Sequence, residues 1–111
     1  MKPITFHTRF CDETAAVIRK GQYHDGSIAL RVFDQFGEPL TTATVCMSAY
    51  DQTPHEGCVF IKEHGENEGV LAALQDAGVV GPTLRTLDAA MVDDYAHECR
   101  LLADLNQIGD M

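Results

Sequence analysis

This chain of 111 residues lacks any apolar run long enough to span a bilayer. Its first ten residues, MKPITFHTRF, lack the uninterrupted apolar stretch of a secretion signal, because His7 and Arg9 break it. The expectation is therefore a cytoplasmic protein without a membrane role. Positive charge is also scarce: 8 Lys and Arg stand against 17 Asp and Glu, for a net charge of −9. A surface of that sign repels phosphate backbones, which argues against direct binding of nucleic acid. There is no C-x-x-C pair among the four cysteines, Cys11, Cys46, Cys58 and Cys99. Widely separated cysteines in a reducing compartment read as free core residues, not a disulfide framework. Internal repeats and low-complexity tracts are absent as well.

What is present suits one ordinary domain. The apolar fraction of 45% and charged fraction of 23% are typical of globular chains. A domain this long buries roughly two-thirds of the surface its unfolded chain exposes, enough for one core without staples. The charge is unevenly spread: residues 1–60 carry −2 and residues 61–111 carry −7.

Alternation with a period of two marks several strands. ITFHTRF places Ile4, Phe6, Thr8 and Phe10 on one side. AAVIRKGQY is ambiguous between a helical turn and a strand. SIALRVFD, the turn residues DQFGEP and the β-branched run LTTATVCMS together predict a β-hairpin. AYDQTPHEG reads as a loop and CVFIKE as a further strand. Next, GENEGVLAALQDAGVV predicts a short amphipathic helix over Asn67–Ala77, with Asn67 as N-cap and Gly78 at the left-handed position that ends it. Val70, Leu71, Leu74 and Ala77 form its apolar stripe. Neither a phosphate loop nor a calcium loop fits, since there is no lysine and no run of alternating oxygen ligands. From Thr86 to Asn106 helical and strand periods compete. We expect a strand over about Tyr95–Leu102, because the sheet edge beside the hairpin needs a partner or a cover. The predicted fold is thus α+β: an antiparallel sheet of four to five strands, including a central β-hairpin, with one amphipathic helix on one face.

The order SIALRVFDQFGEPLTTATVCM, GENEGVLAALQDAGVV and CRLL resembles an uncharacterised family of small proteins carried on bacterial plasmids, integrative elements and phages. The resemblance runs from about Tyr23 to Leu102. It is most specific at Gly37-Glu38-Pro39, Glu66-Asn67-Glu68-Gly69 and Cys99-Arg100-Leu101, none of which is a catalytic signature. It implies a mobile-element setting and a final strand introduced by a Gly-aromatic pair, where this chain has Ala90-Met91.

Three functional readings follow. In the first, the protein is a small non-enzymatic binder of a basic host or element-encoded protein. An antirestriction or anti-CRISPR decoy is its sharpest form, with Glu63, Glu66, Glu68, Asp76, Asp93, Asp94 and Glu98 as the contacting carboxylates. It needs no cofactor. The second is a metal or thiol enzyme in which His55, Cys58, His97 and Cys99 supply two imidazoles and two thiolates. Cys11 is a poor nucleophile, because Asp12 and Glu13 oppose its ionisation. The third is a homo-oligomeric module, a homodimer for example, pairing strand edges from Ile4–Phe10 or Cys58–Lys62 across a two-fold axis.

Overall fold

A computed structural model describes all 111 residues. Four strands form the first sheet in chain order: β1 (Ile4–His7), β2 (Asp12–Gln22), β3 (Ile28–Phe33) and β4 (Pro39–Thr42), each antiparallel to the next. The ambiguous segment is the long central strand β2. Ala16 and Ile18 of β2, with Leu30 and Val32 of β3, enter the core, so one face of the β2–β3 pair is apolar. The expected hairpin is β3–β4, in the register Arg31↔Thr42 and Val32↔Thr41. Its turn closes on Asp34, whose carboxylate accepts the N–H groups of Phe36 and Glu38.

The expected third strand, LTTATVCMS, is divided between two sheets. β4 ends at Thr42, and the chain beyond it becomes a seam. Ala43 donates to Leu30 O, while its carbonyl accepts from Lys62; Val45 donates to Phe60 O. The seam joins the first sheet to β5 (Cys58–Lys62), and an isolated bridge pairs Thr44 with Ile61.

The second sheet runs β5–β7–β6, with β6 at Val80–Ala89 and β7 at Val92–Leu101. The strand expected over Tyr95–Leu102 therefore exists as β7. The competing helix does not form, and β6 is a strand the sequence reading missed. Its three register irregularities and its Gly81-Pro82 pair interrupt the alternation that would have revealed it. A two-residue strand, β8 (Gly109–Asp110), pairs in parallel with β2, making the first sheet five-stranded. The α+β class with a five-stranded sheet and one helix is as expected.

Helix α1 spans Val70–Asp76, and a separate 3-10 turn occupies Gly65–Asn67. This corrects the expected start. Asn67 is not the N-cap; it is buried, its Oδ1 accepting from Thr41 Oγ1 and its Nδ2 donating to Thr42 O. Asn67 thus plugs the outer edge of β4. Gly69 takes the cap position at φ 97°, and Glu63 accepts the N–H groups of Gly69 and Leu71, both at 2.8 Å. The end is as expected. Gly78 is left-handed at φ 74°, with Val79 donating to Leu74 O and Gly78 to Gln75 O, the paired bonds of a Schellman motif.

Val70, Ala73 and Leu74 pack between the sheets with Phe6, Leu30, Val59, Ile61 and Cys99 in the main core. A smaller core, of Met47, Phe60, Leu87, Ala89 and Ala96, covers the other face of the second sheet. No helix is long and apolar enough to cross a membrane.

Candidate functional site: the β6–β7 tip

The seven carboxylates expected to meet a partner divide by location. Glu98, on β7, is only 1% exposed. Its oxygens accept from Arg85 Nε at 2.7 Å, from the backbone N–H of His55 at 2.7 Å and from His55 Nδ1 at about 3.0 Å. Arg85 continues to Gln52 Oε1 and Thr53 O, so the loop before β5 is tied to the sheet. Burial by itself would raise the Glu98 pKa, but the Arg85 and His55 hydrogen bonds outweigh it and hold the carboxyl below its ordinary value. Glu98 is therefore a structural anchor, and the expectation that it meets a partner is corrected. Glu63 is likewise occupied at the start of α1. Glu68 pairs with Arg9 at 2.7 Å, and Asp76 lies at the far end of the helix.

Glu66, Asp93 and Asp94 remain. The hairpin joining β6 to β7 turns on two residues, Ala90 and Met91, at φ 46° and 68°. A two-residue hairpin turn with positive φ at both central positions is of the kind that glycine or asparagine normally supplies. Neither is present here, and Asp94 also has φ 52°. Met91 is fully exposed at the apex. Asp93 and Asp94 follow it, and Asp88 opposes them, accepting the Asp94 N–H at 2.9 Å. Asp88 was missed because its strand was missed. Glu66 borders a groove of about 300 Å³ that also includes Tyr95, next to Asp94 in the chain. Asp88, Asp93 and Asp94 thus flank the exposed apex, while Glu66 lies on the separate groove.

The sequence-derived metal constellation is divided by the pleat. Phe60↔Glu98 and Val59↔Cys99 are cross-strand pairs, so Cys58 shares a face with Phe60 and Glu98 while Cys99 and His97 share the opposite face. No three His, Cys, Asp or Glu side chains converge in ion-binding geometry. No family model, curated protein or solved structure matches the chain.

His55, oriented by Glu98, borders an open cleft of about 400 Å³, but no hydroxyl or thiol is hydrogen-bonded to it. Ser48 Oγ meets His24 Nε2 at 3.1 Å, yet no carboxylate holds the other ring nitrogen. Burial, followed by Glu13, Asp12 and Asp34, pushes the Cys11 thiol up. Burial also raises Cys99. The strand Cys58–Lys62 is no free edge, since β7 lies on one side and the seam on the other. This corrects its expected role in self-pairing.

Proposed function

We propose that the protein is a non-enzymatic binding protein that presents the β6–β7 tip to a basic surface of a partner protein. In this reading Met91 enters an apolar recess, Asp88, Asp93 and Asp94 meet lysines and arginines around it, and Glu66 on the neighbouring groove adds to the acidic face. The observation that carries the proposal is the turn itself. Ala90 and Met91 hold a left-handed backbone that costs a non-glycine residue on the order of 1 kcal/mol each. The position keeps a large apolar side chain in full solvent at that cost. A central apolar anchor with a charged rim is how interfaces concentrate their binding energy. The finer reading is an antirestriction or anti-CRISPR decoy that occupies a nucleic-acid site on a host protein. The mobile-element resemblance and the net charge of −9 support it.

The test replaces the strained pair by one suited to the turn, Ala90→Asn with Met91→Gly. The variant should be more stable by about 1–2 kcal/mol. It should also lose a partner that the native protein captures from a bacterial lysate at about 0.05 M salt and releases at about 0.5 M. A captured nuclease or DNA-binding protein displaced from its nucleic acid supports the decoy form. Undiminished capture by the variant would remove the tip from the mechanism, and capture that salt leaves unchanged would remove the carboxylates.

A further inference from the structure

The outer face of the five-stranded sheet carries two arginines that the acidic chain leaves without counter-ions. Arg19 on β2 and Arg31 on β3 stand directly opposite one another in register. Like charges so placed repel, which destabilises the pairing. With 17 carboxylates in the chain, a neutralising neighbour would be easy to supply. Every ion pair within 4 Å, however, involves another cation: His7–Asp12, Arg9–Glu68, Lys20–Asp110, His55–Glu98 or Arg85–Glu98. The acids beside them, Asp34 in the chain and Asp110 across the β2–β8 pairing, are engaged elsewhere. Asp34 closes the β3–β4 turn, and Asp110 lies 3.6 Å from Lys20 Nζ.

Both guanidinium groups lie over the ring of Phe33, 5.8 Å from its centroid for Arg19 and 5.7 Å for Arg31. The ring holds two cations on one side of the sheet. Arg31 Nε is buried, and its N–H has no acceptor. An unmade hydrogen bond of that kind costs about 1–3 kcal/mol. Thr42 of β4 is the register partner of Arg31, so its side chain lies on the same face.

We propose that Arg19, Arg31 and Thr42 bind a phosphate group carrying two ionised oxygens. Two guanidinium forks and a hydroxyl suit a tetrahedral dianion, whereas a single carboxylate would satisfy one fork and leave the other charged. The surrounding negative field excludes a polyanion, so the ligand is small: inorganic phosphate or the monoester of a small molecule. The site binds and carries no group for phosphoryl transfer. It is independent of the β6–β7 tip.

The native protein is titrated with inorganic phosphate and, separately, with a nucleoside 5′-monophosphate, at constant ionic strength set by chloride. The Nε–H signals of Arg31 and Arg19 are followed by NMR. Saturable shifts of both are expected. Arg19→Lys keeps the charge but loses the fork, and should weaken binding by about tenfold. Arg19→Gln should abolish saturation while leaving the ligand-free protein at least as stable as the native one. Tighter binding of the nucleotide identifies an ester as the ligand, and equal binding identifies phosphate alone. Non-saturating shifts, or shifts of equal size in Arg19→Gln, would overturn the site.

Discussion

At Glu98 a single side chain joins three parts of the chain: its own strand, Arg85 on β6 and the His55 loop. Replacing it by alanine leaves Arg85 without its charge partner and the His55 N–H without an acceptor. Loss of one partner of a buried pair is strongly destabilising, and Glu98→Ala should lower unfolding free energy by about 3 kcal/mol in urea denaturation. The pH dependence has a definite sign. The folded-state pKa lies below the ordinary 4.5, so the stabilisation is fully present above that value and is lost as pH falls through the folded pKa. The native stability curve should therefore fall more steeply below about pH 4.5 than that of Glu98→Gln, as thermal melts across this range would show. Matching slopes would mean that the carboxyl titrates alike in the folded and unfolded chains. Sequence reading counted Glu98 among the carboxylates free to meet a partner, because a charged side chain on a strand face is ordinarily solvated. It cannot show that the loop from Val45 to Gly57 returns to cover that face as well.

Elements differ in how openly the sequence announces them. The β3–β4 hairpin is legible because alternation and turn chemistry agree over consecutive residues. The end of α1 is legible for the same local reason, since Gly78 needs nothing beyond its own turn. The start of α1 is not. Asn67 has the chemistry of a cap, yet its partners Thr41 and Thr42 lie 26 and 25 residues away, and the acceptor that replaces it comes from Glu63 before the turn. β6 was hidden by its bulges, and the β6–β7 tip by the absence of glycine or asparagine at its apex. The two glycines bounding α1 offer a comparison. A Cβ at Gly69 would lie 3.1 Å from Thr8 Cα and 3.3 Å from Arg9 N, whereas at Gly78 it meets nothing within 4 Å. Both have positive φ. Gly78→Ala should thus cost about 1 kcal/mol for its backbone alone, and Gly69→Ala about 2 kcal/mol or more because β1's continuation must also move. Equal losses in chemical denaturation would show that the Thr8 segment yields freely.

Over the whole molecule, charge is the dominant long-range term. A net charge of −9 on a chain this short repels itself, and the exposed carboxylates at the tip and around α1 have few cations to answer them. Raising sodium chloride from about 0.05 to about 0.3 M should increase the melting temperature by about 3 °C through screening, and weaken any charge-guided association at the same time. A melting temperature that drops with salt would mean that internal ion pairs outweigh the repulsion.

The seam at Ala43–Val45 also governs how the molecule comes apart. Within three residues the backbone supplies hydrogen bonds to Leu30 on one side and to Phe60 and Lys62 on the other. The Ala43 N–H holds the first sheet, while the Ala43 carbonyl and the Val45 N–H hold the second. Melting either layer therefore frees one flank of the short segment on which the other rests, and the two open together. Deuterium should reach the Ala43, Val45 and Lys62 amides only when the entire chain opens, all three together.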